Sequence, residues 1–159
     1  MKTYKIPVSV LIVIHTADLQ VMLLERADRP EFWQSVTGSQ HEGETLRETA
    51  VRELREETGL DANQYTLRDW QKENVYEIYP VWRHRYAPGT THNAEHVFGL
   101  TLLQAMPITL APREHLQYRW LPWQQAAKKV FSWSNREAIL LLPSLLDQVP
   151  SPSDFDQRR

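Results

Sequence analysis

Three glutamates close together in the chain, Glu53, Glu56 and Glu57, have the residue type and spacing to hold a metal ion. At about 100° per residue, Glu53 and Glu57 project onto the edge of the apolar stripe that Leu46 and Leu54 form on a helix, with Glu56 slightly further round. Like charges at i and i+4 repel, and poor solvation near a core raises the cost. A hard divalent cation removes this repulsion because it takes oxygen ligands, so we expect Mg²⁺, with Mn²⁺ as a substitute.

The alternative interpretation is an ordinary solvated helix face, because runs of charged residues are usually exposed. The overlap between the carboxylates and the apolar stripe argues against that interpretation. Arg55 and Glu48 lie on the opposite side of the same helix, where solvated charges belong.

The helix that carries these glutamates is predicted over residues 45–57. Thr45 and Glu48 have the spacing of a capping box, and Gly59 is a C-cap residue. Apolar and β-branched runs predict strands at residues 8–14, 21–25, 67–70, 75–86, 95–103 and 118–121. Residues 26–34 are expected to form a polar loop and residues 35–38 a short extended segment. Further helices are predicted at residues 122–131 and from a capping box at Ser134 to residue 146.

Composition narrows the class of protein. The chain has 159 residues, a length typical of one domain, and we expect a domain over residues 1–149 with a disordered tail at 150–159. The lack of cysteine excludes disulfides, thiolate metal sites and a cysteine nucleophile. A net charge of −2 disfavours a nucleic-acid partner. No apolar run reaches the length of a membrane span, so we expect a cytoplasmic protein without membrane contact. We expect a monomer or a small homo-oligomer.

The segment GSQHEGETLRETAVRELREETGL, residues 38–60, resembles the Nudix box, GX5EX7REUXEEXGU, in which U is a bulky aliphatic residue. All nine defined positions are filled, by Gly38, Glu44, Arg52, Glu53, Leu54, Glu56, Glu57, Gly59 and Leu60. A match of all nine at fixed spacing is very improbable by chance. The resemblance implies the Nudix fold, a mixed β-sheet between helices in the α+β or α/β class.

The resemblance also implies roles for these residues. Gly38 is expected to allow a tight turn, and Arg52 to form a structural ion pair with Glu44. The three glutamates are expected to bind metal and to act in catalysis. Nudix enzymes hydrolyse a nucleoside diphosphate linked to another moiety, and the sequence does not assign the general base among the carboxylates.

Four blocks outside the box, residues 32–39, 83–89, 114–121 and 132–139, resemble bacterial Nudix enzymes that hydrolyse dihydroneopterin triphosphate in folate synthesis. That resemblance implies release of pyrophosphate and formation of the monophosphate. One alternative is an enzyme that cleaves dATP or damaged nucleoside triphosphates. Another is a Nudix module that binds without catalysis, but such modules usually lose box glutamates, and this chain keeps them.

Other candidate residues lie outside the box. The resemblance of the block at 114–121 makes Glu114 the first choice for a distant carboxylate that joins the metal and catalytic site, with Glu95 as second choice. For the triphosphate and ring we expect contacts from cationic, hydroxyl and aromatic side chains, although an ordinary surface position is a real alternative for several of them. These candidates are Lys5, Arg26, Thr37, Tyr76, Glu77, Ile78, Tyr79, His115 and Ser132. Glu77 is the expected acceptor for the hydrogens of the ring, and Ser134 the expected helix cap.

Overall fold

The computed structural model describes residues 3–147, and its centre is one seven-stranded sheet. The strands are β1 Val8–Thr16, β2 Gln20–Arg26, β3 Trp33–Gln34, β4 Val36–Ser39, β5 Thr66–Glu77, β6 His92–Leu102 and β7 His115–Pro122. The helices are α1 Leu46–Thr58, α2 Trp123–Lys129, α3 Trp133–Leu140 and α4 Leu142–Asp147, with 3-10 helices at Ala62–Gln64 and Pro80–Arg85. In the part described, no helix is long and apolar enough to cross a membrane.

The sheet is mixed. Its main path runs β3-β2-β1-β6-β5, while β4 pairs with β1 and β7 pairs with β2. The pairing of β1 with β6 is parallel, and the other strand pairs are antiparallel. The predicted mixed sheet with helices on its faces is therefore confirmed.

The side chains of β1 point alternately to the two faces of the sheet and pack into two separate core layers. Val10 and Ile12 pack in the layer that contains Leu54 of α1, whereas Leu11 and Val13 pack in the layer that contains residues of α2 and α3. Successive side chains of a strand point to opposite faces, so this nine-residue strand supplies both layers.

Helix α1 follows the prediction closely. The Thr45 side chain accepts from the backbone N–H of Glu48, whose own side chain accepts from the Thr45 N–H, which completes the predicted capping box. The helix ends at Gly59, which adopts a left-handed conformation at φ 75°. Glycine has no Cβ penalty there, so the helix stops where the following loop begins.

The predicted strands at residues 67–70 and 75–86 are wrong only in their bounds. Residues 67–70 are strand as predicted, but β5 runs without interruption from Thr66 to Glu77, with a register shift between Asp69 and Lys72, and ends well before residue 86. The chain then forms the 3-10 helix that begins at Pro80, because proline fixes φ and lacks the N–H that a strand ladder needs. The predicted loop at 26–34 also ends in a short strand, β3.

The helix predicted from Ser134 to residue 146 is wrong in two respects. Its N-cap is Ser132, which accepts from the N–H of Asn135, while Ser134 is buried within the first turn. The segment also divides into α3 and α4, because Pro143 has no N–H to donate to the preceding turn. The tail predicted at residues 150–159 lies outside the described residues.

Candidate active site

One cleft, with a volume of about 950 Å³, brings the predicted functional residues together. It is bordered by the N-terminal segment, β4, α1, the start of β7, the 3-10 helix Pro80–Arg85 and the start of α3. The predicted catalytic and substrate-binding residues all line it: Lys5, Arg26, Thr37, Glu53, Glu56, Glu57, Tyr76, Glu77, Ile78, Tyr79, Glu114, His115 and Ser132.

Arg52 connects the loop before α1 to the helix itself. Its Nε and Nη2 donate to the two carboxylate oxygens of Glu44 at 2.7 and 3.0 Å, and Nη2 also donates to the Ser39 carbonyl at 2.9 Å. Its Nη1 donates to Oε1 of Glu53 at 2.8 Å. The hydrogen bonds from Arg52 lower the pKa of Glu44 to about 2, so this pair stays ionised at neutral pH.

Gly38 has a different role from the expected one. It lies in β4 and is not among the glycines with positive φ, so the tight-turn explanation is wrong. A Cβ at this position would overlap the carboxyl group of Glu53. Glycine leaves room here for the Glu53 side chain, which comes from α1 and passes over the strand. The turn before α1 instead uses Gly43, which has φ 83°.

The carboxylate of Glu57 is at the centre of the acidic part of the cleft. Ligand atoms of Glu57, Glu114 and His115 lie within 4.8 Å of one another. Glu57 and His115 are buried, whereas Glu114 is exposed. The backbone N–H of Thr37 donates to Oε2 of Glu57 at 3.2 Å, so β4 fixes the orientation of this carboxylate.

The electrostatics of this cluster fit a divalent cation. Burial raises the pKa of Glu53 to about 7. Burial, followed by repulsion from Glu53 and Glu114, raises the pKa of Glu57 well above its usual value. Carboxylates that are this costly to ionise are stabilised by a cation that accepts several oxygen ligands.

His115 belongs to this cluster and was predicted only as a substrate contact. Its Nε2 lies 3.8 Å from Oε1 of Glu57, and burial together with the Arg26 guanidinium lowers its pKa to about 4. The ring is therefore neutral at pH 7, and its contact with Glu57 is not an ion pair. A neutral imidazole can be a metal ligand. The sequence signal that could have placed His115 in this cluster was its position next to Glu114, at the start of β7.

The other two box glutamates are arranged differently from Glu57. Both line the cleft, but neither is part of the group of ligand atoms formed by Glu57, Glu114 and His115. Glu53 is held by Arg52, and the side chain of Glu56 is 55% exposed at 3.3 Å from Nη1 of Arg52. The expected overlap of the carboxylates with the apolar stripe is therefore confirmed for Glu53 and Glu57 but wrong for Glu56, because the position of Glu56 on the helix turns it to solvent.

Two cationic side chains lie near the acidic group. Arg26 donates from Nε and Nη2 to the carboxylate of Asp28, both at 2.7 Å, and from Nη1 to Gln34. The pKa of Lys5 is lowered by burial and then by Arg85. Both groups supply positive charge to a cleft that otherwise contains several carboxylates.

Aromatic rings form another part of the cleft lining. Tyr79, Trp82 and Phe131 are mutual neighbours, with ring centroids 5.4 to 6.1 Å apart. The guanidinium of Arg26 lies 4.5 Å from the centroid of the Trp82 ring. Phe131 was not predicted as a site residue, and the sequence holds no clear signal for it, since it reaches the cleft only through the turn between α2 and α3.

Hydroxyl, amide and carboxyl groups line the part of the cleft formed by β6 and the strands on either side of it, β1 and β5. The Nδ2 of Asn93 donates to Ser9 at 2.8 Å and to the Tyr76 hydroxyl at 3.1 Å. Glu95 is buried beside them at 4% exposure. Glu77, the expected acceptor for the ring, is exposed and paired with Arg83.

The fold and this constellation of residues are those of a Nudix domain. The family model for the NUDIX domain matches residues 5–142, and the chain belongs to the Nudix family. Nudix hydrolases generally depend on a divalent metal, which agrees with the acidic cluster in the cleft.

Within the family, the chain is similar to enzymes named for a pterin triphosphate. It is 50% identical to dihydroneopterin triphosphate diphosphatase of Escherichia coli strain K12, over 87% of this chain and 93% of that protein. The enzyme of the same name from Haemophilus influenzae is 42% identical, over 87% of this chain and 89% of its own length. The solved structure of the E. coli dihydroneopterin triphosphate pyrophosphohydrolase matches with a TM-score of 0.82 and 50% identity, over 87% of this chain and 95% of that one.

Proposed function

We propose that this protein hydrolyses dihydroneopterin triphosphate to dihydroneopterin monophosphate and pyrophosphate, with Mg²⁺ as the cofactor and Mn²⁺ as a substitute. The observation that carries the proposal is the cleft itself, which holds the cluster of Glu57, Glu114 and His115 together with an aromatic and polar region. The names of the relatives that are 42% and 50% identical to this chain support the choice of substrate.

The acidic group is the proposed catalytic centre. A bound divalent cation neutralises charge on the polyphosphate and lowers the pKa of the attacking water. Glu57 and Glu114 would hold this cation, with Glu53 and Glu56 of the same cleft as the further proposed ligands, and Arg52 orients Glu53 through its hydrogen bond. Water attacks the α- or the β-phosphorus, a cleft carboxylate accepts its proton, and the bond from that phosphorus to the oxygen that joins the two phosphates breaks, which yields pyrophosphate and the monophosphate.

The remaining lining residues are proposed to bind the substrate. Lys5 and Arg26 face the phosphates, because their positive charge lies beside the acidic group. Thr37 and His115 contact the phosphates next to Glu57. The segment that contains Tyr76, Glu77, Ile78 and Tyr79 borders the ring, and Ser132 closes the cleft from the N-terminus of α3. The domain is proposed to extend over residues 1–149.

Steady-state kinetics with a matched pair of variants test this function. Glu57→Gln should lower kcat by about 100-fold or more, because several kcal/mol of charge stabilisation are lost. Glu48→Gln is the control, since Glu48 is exposed on the same helix and glutamine keeps its capping contact. Near-normal kcat in Glu57→Gln would remove this residue from the catalytic centre.

A comparison of substrates separates the pterin triphosphate from a nucleotide. The ratio of kcat/KM values for dihydroneopterin triphosphate and dATP measures the preference directly. We expect the pterin substrate to have the higher value. A strong preference for dATP would instead assign the protein to the nucleotide pool.

A further inference from the structure

Glu95 is a buried carboxylate that the proposed catalytic steps leave unused. It lies on β6, lines the cleft and is 4% exposed. One of its oxygens accepts a hydrogen bond from the Ser134 side chain, whereas Oε1 has no hydrogen-bond partner among residues 3–147. An unpaired buried carboxyl oxygen is costly in free energy, so a ligand that donates hydrogen bonds to it gains binding free energy by removing this cost.

The metal cluster does not account for Glu95. Among the described residues, the group of ligand atoms within 4.8 Å of one another consists of Glu57, Glu114 and His115. Burial raises the pKa of Glu95 to about 7, and Ser134, which acts against this shift, is a neutral hydrogen-bond donor. A donor ligand would favour the ionised form that burial disfavours.

The surroundings of Glu95 suit the edge of a flat ring. Ser9 is its register partner on β1, and Asn93 lies two positions before it, on the same face of β6. Asn93 donates to the Tyr76 hydroxyl at 3.1 Å, and the Glu95 charge raises the pKa of that hydroxyl in addition to the effect of burial. Tyr79, Trp82 and Phe131 line the same cleft and provide aromatic faces for such a ring.

We propose that Glu95 selects heterocycles that present a ring N–H beside an exocyclic amino group, by accepting one hydrogen bond from each. This edge is shared by pterin and guanine. Adenine instead presents one donor and one acceptor, and hypoxanthine lacks the amino group. The inference deepens the proposed function, because it assigns recognition of the ring to Glu95 rather than to the exposed Glu77.

The test compares wild type, Glu95→Gln and Glu73→Gln in hydrolysis of dihydroneopterin triphosphate, dGTP, dITP and dATP. An amide can accept from one of the two donors but opposes the other. Loss of a two-bond contact of this kind typically costs a factor of about 10 to 100, so Glu95→Gln should lower kcat/KM for the pterin and dGTP by at least about 10-fold. Glutamine matches the donor and acceptor of adenine, so kcat/KM for dATP should be unchanged or higher.

Glu73→Gln is the matched control and should behave as wild type. Glu73 is another strand glutamate, on β5, but it is 51% exposed and lies outside the cleft, 3.5 Å from Nε2 of His96. A second measurement needs no variant: wild-type protein should prefer dGTP to dITP by about 10-fold, because dITP lacks the amino donor. Glu95→Gln should lose that preference.

The outcomes separate recognition from reaction. Equal kcat/KM values of the wild type for dGTP and dITP would overturn the assignment of ring recognition to Glu95, whatever the result for the variant. An unchanged kcat/KM of Glu95→Gln for the pterin would also overturn this assignment, but it would leave the proposed reaction unaffected. A wild type that fails on dihydroneopterin triphosphate but prefers dGTP to dITP through Glu95 supports the assignment and refutes the proposed reaction. An equal loss on all four substrates contradicts a role in ring recognition.

Discussion

Replacement of Arg52 by glutamine tests whether the ion pair with Glu44 holds the loop and helix of the site together. The two side chains are only 20% and 19% exposed. The variant removes the guanidinium donor from Glu44, Glu53 and the Ser39 carbonyl, and Glu44 keeps the His41 N–H and the Thr49 hydroxyl as donors. Breaking a fully buried pair costs about 3–5 kcal/mol, whereas an exposed pair contributes about 0–1 kcal/mol. For this mostly buried pair we expect a loss of about 2–4 kcal/mol.

Urea denaturation at pH 7 measures this loss directly, and thermal unfolding should show a decrease in Tm of about 5–12 °C. Arg55→Gln is the control, because Arg55 is 67% exposed and lies 4.0 Å from Asp61. Its loss should not exceed about 0.5 kcal/mol. If Arg52→Gln costs no more than Arg55→Gln, the ion pair does not stabilise the site and the reasoning is refuted.

Three further changes have defined outcomes. Gly38→Ala should displace the Glu53 carboxyl and lower both kcat and Tm, measured by steady-state kinetics and calorimetry; unchanged values would show that the close approach is unimportant. Ser132→Ala should cost about 1 kcal/mol in urea denaturation, through loss of the N-cap of α3, and no loss would contradict that role. The pKa of Glu95 is raised to about 7 in the folded state, so wild type binds an extra proton and loses stability as pH rises from about 4.5 to 7. Glu95→Gln lacks this loss, so its stability relative to wild type should increase by about 1–3 kcal/mol between pH 5 and pH 8; an equal difference at both pH values would contradict the burial of this carboxyl.

The elements nearest the motif were the most predictable from sequence. The capping box of Thr45 and Glu48 and the stop at Gly59 are local interactions, so the residue types alone defined α1. The positions of Glu53 and Glu57 on the buried side of α1 also follow from helical periodicity.

Features that depend on distant partners were not predictable. The reason for glycine at position 38 is a carboxyl group from α1, and no local pattern reveals such a contact. Strand β5 continues through residues 71–74 because β6 pairs beside it, which overrides their weak strand preference. The proximity of His115 to Glu57 likewise exists only after β7 has paired with β2.

Product analysis by phosphorus NMR in ¹⁸O-labelled water is the most direct test of the proposed reaction. Purified protein with Mg²⁺ and dihydroneopterin triphosphate should yield dihydroneopterin monophosphate and pyrophosphate in equal amounts, with the label in one of them marking the phosphorus that water attacks. Release of orthophosphate, or no turnover with either Mg²⁺ or Mn²⁺, would contradict the function proposed from this cleft.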